Sequence, residues 1–151
     1  MKFFQTWLFQ NRYFRHSKPK NYHSSQSGIF GIWKGAIPII LSSIARRKFN
    51  EQGTLLDAHG NYTLIARLVA QEMKVPFIDM QYLTENLEMK YGKEGSKKLH
   101  LHYEPKEIDY YPDGKKDDTH LSVLGATEIA KIFITEIKKL NLPLAKFIKE
   151  K

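Results

Sequence analysis

The apolar positions between residues 36 and 79 change period twice along the chain. Residues 36–41 form a continuous apolar run, which is typical of a buried parallel strand. Residues 61–74 instead place their apolar side chains on one helical stripe. Residues 75–79 again indicate a short strand, with Pro76 near its start, where a missing N–H is tolerated. This order predicts a strand–helix–strand unit with a right-handed crossover.

The second half of the chain is predicted to be mainly helical. Residues 81–91 predict a helix and residues 92–95 a turn, while residues 96–118 show no sustained period and predict a long loop of the kind that is usually functional. Residues 122–140 predict a final amphipathic helix, because Ile129, Ile132, Phe133, Ile137 and Leu140 share one face. Two parallel strands are not a self-sufficient core, so the pattern favours the second half of an α/β sandwich.

Residues 1–33 differ from the rest of the sequence. They are aromatic and basic, and they show no sustained helical or strand period. Residues 24–28 resemble a linker. We therefore divide the chain into an atypical N-terminal segment, residues 1–33, and a domain over residues 34–151. The segment is interpreted as disordered, or as not native to this domain.

The net charge of +8 is concentrated at one end of the chain. Residues 1–48 contain nine Lys or Arg and no Asp or Glu, so the other 15 basic residues face all 16 acidic ones. A basic face that binds nucleic acid should continue into the folded body, so no nucleic-acid partner is expected. No apolar run reaches the length of a membrane span, and none is expected. The absence of cysteine excludes a thiolate zinc site and a cysteine nucleophile.

The most informative motif is an aspartate three residues before a histidine, directly ahead of the final helix. In so short a turn the carboxylate of Asp117 can reach Nδ1 of His120 and leave Nε2 facing outward. Such a contact fixes the tautomer and stabilises the imidazolium. We therefore interpret His120 as a general base and Asp117 as its orienting carboxylate, the alternative being a helix-capping carboxylate. Asp118 is interpreted as a solvated neighbour or cap.

Other candidate side chains favour plainer interpretations. His100 and His102 could join His120 in a metal site, but the spacing is not a recognised ligand pattern, so we expect a solvent-facing pair, no metal and no cofactor. The basic run at residues 46–48 could meet an acidic sugar, although a solvated charge run is favoured.

Tyrosines and serines at loop positions leave further alternatives open. Tyr103, Tyr110 and Tyr111 either offer a surface for sugar stacking or pack on the body of the domain. Ser42 and Ser43 follow a predicted strand but lack the surrounding glycines of a strained nucleophile elbow. We therefore do not interpret them as nucleophiles.

Five short motifs occur in one order: KGAIPII (34–40), ARRKF (45–49), HGNY (59–62), VPFID (75–79) and DGKKDDTH (113–120). Together they resemble the C-terminal half of the SGNH (GDSL) hydrolases, specifically the rhamnogalacturonan acetylesterase-like branch. The resemblance covers about residues 34–151. It implies a three-layer α/β/α sandwich with a parallel sheet, present here as a C-terminal fragment, and a Ser-His-Asp triad in which His120 is the base and Asp117 its carboxylate.

The resemblance also implies groups that this sequence does not contain. The family's nucleophilic serine lies in a Gly-Asp-Ser block, which is absent, and its oxyanion Gly and Asn have no counterpart, since Gly60-Asn61 matches a different part of the pattern. Loss of a single oxyanion donor costs roughly 10² to 10³ in rate. We therefore expect a truncated serine ester hydrolase, related to enzymes acting on acetylated carbohydrate of the rhamnogalacturonan or pectin type, that is inactive alone.

Two other functions stay open. The chain could be a non-catalytic carbohydrate-binding remnant, or a basic interaction protein acting through residues 1–48. Without upstream strands the first strand would also have an unpaired edge, which favours self-association.

Overall fold

The computed structural model describes residues 36–149, which form two compact units. The described part of the first unit comprises residues 36–43 and 59–81, and that of the second comprises residues 44–58 and 82–149. The N-terminal segment, residues 1–33, lies outside the described residues, so its interpretation stays a prediction. Within residues 36–149 no helix is both long and apolar enough to cross a bilayer.

The first unit contains the predicted strand–helix–strand arrangement, which the structure confirms. Its elements are β1 (Ile40–Leu41), α1 (Asn61–Met73) and β2 (Phe77–Ile78). The two strands are parallel, with Ile40 opposite Phe77. The Ile40 N–H donates to the Pro76 carbonyl over 2.9 Å. The strands are shorter than the apolar runs predict, and Ile37 of the first run is 58% exposed.

Burial of one face of α1 against β1 forms the core of the first unit. Ile40, Val69 and Ala70 are buried, and five partly buried apolar side chains pack around them: Ile65, Ala66, Met73, Val75 and Phe77. The helix ends where Lys74 adopts a left-handed conformation (φ 54°) and its N–H binds carbonyls of the last turn. The chain can then enter β2 directly.

The second unit contains an antiparallel hairpin between helical elements. These are α2 (Met80–Gly95), a 3-10 turn (Ser96–Leu99), β3 (His100–Tyr103), β4 (Lys115–Leu121), α3 (Val123–Lys139) and a second 3-10 turn (Pro143–Phe147). The first two residues of α2 belong to the first unit, and Gly92 (φ 69°) interrupts its helical conformation. The prediction of one long loop over residues 96–118 is therefore wrong. Because Leu121 is the only apolar residue among the seven of β4, no alternating pattern reveals this strand.

The predicted final helix is confirmed, and its start is anchored by Ser122. The Ser122 hydroxyl accepts a hydrogen bond from the Gly125 N–H over 3.1 Å, as an N-cap does. The same residue donates from its N–H to the Leu99 carbonyl over 3.0 Å and from its hydroxyl to the Lys98 carbonyl over 2.6 Å. These bonds hold the start of α3 against the first 3-10 turn, two residues after His120.

Candidate active site

Asp117 and His120 lie at an irregularity in β4. Leu101 on β3 is opposite Asp117, whereas the preceding His100 is opposite Leu121. Residues 118–120 of β4 are therefore inserted between two consecutive residue pairs of the hairpin, and they have no pairing partner on β3. Extra residues of this kind leave the regular pairing and bend the strand. We call residues 117–120 the Asp–His turn, and they fold back on themselves within the strand.

The Asp117 carboxylate organises the Asp–His turn. Its Oδ1 accepts hydrogen bonds from the N–H groups of Thr119 (2.9 Å) and His120 (3.0 Å), and its Oδ2 lies 2.8 Å from Nδ1 of His120. These contacts, the His120 backbone N–H first, hold the pKa of Asp117 well below its usual value of 3.8. The carboxylate is therefore ionised at neutral pH and acts only as an acceptor, so Nδ1 of His120 carries the proton.

This geometry leaves Nε2 of His120 as the basic nitrogen. The His120 side chain is 69% exposed, whereas that of Asp117 is 17% exposed. A neutral imidazole with Nδ1–H held by a carboxylate can accept a proton at Nε2, and the carboxylate then stabilises the resulting cation. The Asp–His turn therefore has the arrangement of a general base, with the accepting nitrogen on the exposed side chain.

Asp118 and Arg47 contact each other next to this pair. Asp118 Oδ1 accepts from Arg47 Nη1 over 2.6 Å and lies 2.7 Å from His102 Nε2. Burial raises the pKa of Asp118, but the hydrogen bonds from Arg47 and His102 lower it by more, so it lies below its usual value. The interpretation of Asp118 as a solvated neighbour or cap is therefore incomplete. That of residues 46–48 as a solvated run is wrong for Arg47, which is buried, and holds for the exposed Arg46 and Lys48.

A second acidic residue and histidine are buried together in the same unit. His100 Nε2 lies 2.7 Å from Glu88 Oε1, and their side chains are 0% and 4% exposed. The expectation of a solvent-facing histidine pair is therefore wrong. Each histidine of the candidate metal site contacts a different carboxylate: His100 with Glu88, His102 with Asp118, and His120 with Asp117. In the part of the chain that the structure describes, no three metal-ligating side chains cluster together.

Comparison with known proteins finds similarity to proteins named as rhamnogalacturonan acetylesterases. Rhamnogalacturonan acetylesterase RhgT of Bacillus subtilis is 41% identical over 111 residues, which are 74% of this chain and 48% of that protein. Probable rhamnogalacturonan acetylesterase YesY of the same organism is 32% identical over 115 residues, or 76% of this chain and 48% of YesY. Over about three quarters of its length the chain is therefore similar to rhamnogalacturonan acetylesterases. It spans about half the length of these relatives.

A solved structure shares the fold of much of this chain. The crystal structure of Bacillus subtilis protein YxiM aligns with a TM-score of 0.58 at 22% identity, covering 74% of this chain and 28% of that one. This likeness concerns the fold alone, which is SGNH hydrolase-like. No protein-family model matches the sequence.

The Ser42 hydroxyl, directly after β1, is buried and takes part in two hydrogen bonds. Ser42 is 4% exposed, its hydroxyl donates to Asp79 Oδ1 over 3.0 Å, and the same oxygen accepts from the Gln81 N–H over 2.8 Å. Both bonds stay within the first unit. A buried hydroxyl with one donor and one acceptor contact is a structural group, in agreement with the sequence-based interpretation.

The loop tyrosines form a cluster at the β3–β4 connection. Tyr103 and Tyr111 stack with ring centroids 5.9 Å apart, and Tyr110 meets Tyr111 edge-on at 5.3 Å. Tyr110 is 84% exposed. Gly114 (φ 78°) closes the loop, and a Cβ there would lie 2.8 Å from the Tyr103 carbonyl oxygen. Two of the three tyrosines thus pack against each other, while Tyr110 lies at the surface.

Arg47 and Glu88 are the residues of this region that the sequence interpretation missed. Apolar Ala45 and Phe49 lie two residues on either side of Arg47, and this two-residue spacing could have indicated an inward-facing arginine. Glu88 has no comparable signal. Its buried partner, His100, lies 12 residues further along the chain.

Proposed function

We propose that this chain carries the general-base part of an SGNH carbohydrate acetylesterase. The carrying observation is the 2.8 Å contact between Asp117 Oδ2 and His120 Nδ1, on a side chain that leaves Nε2 exposed. In this role His120 accepts the proton of a serine hydroxyl as that oxygen attacks the acetyl carbonyl, and it then protonates the departing sugar oxygen. Asp117 keeps the tautomer and stabilises the imidazolium. The relatives' names support an acetyl ester of rhamnogalacturonan as the substrate class.

We further propose that the chain alone does not turn over. Acyl transfer needs a nucleophile that becomes acetylated and donors that bind the oxyanion, and the Gly-Asp-Ser block that supplies the family's nucleophile is absent from this sequence. In this proposal residues 34–151 correspond to the C-terminal half of a three-layer α/β/α sandwich, with residues 1–33 as a separate segment. The parallel β1–α1–β2 unit supports that assignment.

The first prediction concerns activity. With p-nitrophenyl acetate, the purified chain should hydrolyse ester no faster than its His120→Ala variant, because a base without a nucleophile and an oxyanion site gives almost no acceleration. Adding in trans the segment of RhgT that lies outside the match should produce hydrolysis. There His120→Ala should abolish activity, and Asp117→Asn should lower kcat by about 10³- to 10⁴-fold through the wrong tautomer.

Asp113→Asn is the matched control, since it removes an exposed carboxylate from the same hairpin and should leave the complemented activity unchanged. Complemented activity that survives His120→Ala would reject the proposed base. Saturable activity of the chain by itself, lost in His120→Ala, would show that a nucleophile is present after all.

The second prediction concerns self-association. Among the described residues β1 pairs only with β2, which leaves each strand an edge outside the two-stranded sheet. We expect sedimentation velocity to give a dimer or larger species. Ile37→Lys should shift it towards monomer by placing a charge beside β1, whereas Leu56→Lys, a matched exposed position in the other unit, should not. A monomer with a sharp two-state melt would contradict this proposal.

A further inference from the structure

The Arg47 guanidinium is buried, and each of its three nitrogens donates to a different group. Nε donates to the Ser96 hydroxyl over 3.1 Å, Nη1 to Asp118 Oδ1 over 2.6 Å, and Nη2 to the Lys93 carbonyl. The Arg47 side chain is 8% exposed. Burying a charge is costly unless it is paired and hydrogen-bonded. A guanidinium satisfied in three directions therefore holds all three partners in one arrangement.

Arg47 also contacts the Asp–His turn through its backbone. The Arg47 N–H donates to the Asp118 carbonyl over 3.1 Å, so one residue binds both the peptide and the carboxylate of Asp118. From the neighbouring strand, His102 Nε2 binds the same carboxylate oxygen at 2.7 Å. Asp118 is the first of the three additional residues in β4, for which β3 offers no ladder partner. Arg47 and His102 thus supply the anchoring that strand pairing does not.

We propose that Arg47 is a positioning residue for the Asp–His turn. It fixes Asp118, and Asp118 in turn fixes the backbone from which Thr119 and His120 donate to the Asp117 carboxylate. Without this anchor the turn would sample more conformations, and His120 would lose its preset orientation. The catalytic meaning of this positioning rests on the proposed function, while the geometry of the turn can be measured independently of it.

The chemistry of the site requires arginine and not simply a positive charge. Guanidinium presents five N–H donors in a rigid plane, and here it serves a hydroxyl, a carboxylate and a carbonyl at once. An ammonium at this position is a compact point charge on a flexible stem and cannot reproduce that fork. Arg47→Lys should therefore loosen the turn, and Arg47→Met, which removes the charge and all three donors, should loosen it more.

Nuclear magnetic resonance of the full chain tests the proposal. In Arg47→Met we expect the pKa of Asp117 to rise by about one unit towards its usual value, because the hydrogen bonds that favour its charged form weaken. Exchange of the Thr119 and His120 amide hydrogens should accelerate about tenfold or more, with Arg47→Lys intermediate. Arg46→Met is the matched control: it alters the exposed neighbour and should leave both measurements unchanged.

A reference amide separates positioning from general destabilisation. The Leu140 N–H donates to the Glu136 carbonyl at the far end of α3, and its exchange should stay unchanged while Thr119 and His120 accelerate. Equal acceleration at all three amides, or an unchanged Asp117 pKa in folded Arg47→Met, would overturn the proposal. If Arg47→Met does not fold, Arg47→Lys decides by the same criteria. Failure of complementation with the RhgT segment would reject the proposed function and leave these measurements intact.

Discussion

Gly125→Ala should strongly destabilise the second unit, although this substitution in a helix ordinarily favours folding by about 1 kcal/mol. Gly125 is buried in the first turn of α3. A Cβ at this position would lie 1.9 Å from the Leu99 carbonyl oxygen, 2.8 Å from its carbonyl carbon and 3.0 Å from its Cα. All three are backbone atoms, so no side-chain rotation can relieve the overlap. The helix or the 3-10 turn must move.

Such a movement would break contacts that hold the start of α3. Ser122 donates from its N–H to Leu99 and from its hydroxyl to Lys98, and both bonds cross the interface that would have to open. Overpacking costs about 1–3 kcal/mol, and each lost hydrogen bond adds about 1 kcal/mol. We therefore expect a loss of roughly 3 kcal/mol or more in the free energy of unfolding, measured by urea denaturation.

Gly95→Ala is the control for this substitution. Gly95 has right-handed helical dihedrals (φ −65°, ψ −33°), and the nearest atom to a Cβ there would be Cβ of Tyr91, at 3.8 Å, an ordinary contact. Gly95→Ala should leave stability unchanged or raise it by reducing the entropy of the unfolded chain. A Gly125→Ala protein as stable as the wild type would show that α3 and the 3-10 turn are not closely packed at this point.

The elements predicted correctly from the sequence are those whose burial follows a period. The helical stripe of residues 61–74 and the faces around Ile129 and Ile137 each report one buried side, so α1 and α3 could be located within about a residue. The Asp–His contact was also predictable, because its two residues are three apart and a single turn brings them together. Local spacing is sufficient where the interaction itself is local.

β4 and the buried polar contacts of the second unit have no hydrophobic period that would reveal them in the sequence. β4 is a strand made almost wholly of charged and polar residues, held by backbone pairing with β3, so its pattern is typical of a loop. Arg47 and Asp118 are 71 residues apart, and nothing in a single sequence assigns one to the other. Buried polar side chains are identified by their partners, and those partners follow from the three-dimensional fold.

Removing one side chain of the buried Glu88–His100 pair is expected to lower the free energy of unfolding more than replacing both with apolar side chains. The side chains are 4% and 0% exposed, and their 2.7 Å contact joins α2 to the first residue of β3. Glu88 Oε2 and His100 Nδ1 are buried without a hydrogen-bond partner, so each residue depends on the contact between them. Removing one member of a buried hydrogen-bonded pair typically costs about 1–3 kcal/mol, because the other stays buried without a partner.

Four proteins separate the contributions of this pair. Glu88→Ala should lower the free energy of unfolding by about 1–3 kcal/mol, and Glu88→Gln by less, since its amide oxygen can still accept from His100. The combined Glu88→Leu and His100→Leu substitution should recover most of the loss, because two apolar side chains leave no buried polar atom unpaired. Urea denaturation of these three variants and the wild type provides the measurement.

The order of these stabilities distinguishes a polar contact from simple packing. If the pair contributes only volume, Glu88→Gln should match the wild type and the double leucine variant should be no more stable than Glu88→Ala. If the contact carries the stability, the double variant should be clearly more stable than Glu88→Ala. Because His100 is opposite Leu121, next to the Asp–His turn, Glu88→Ala should also accelerate amide exchange at His120, and Glu88→Gln should do so less. Unchanged exchange in a folded Glu88→Ala protein would show that the buried pair and the turn are independent.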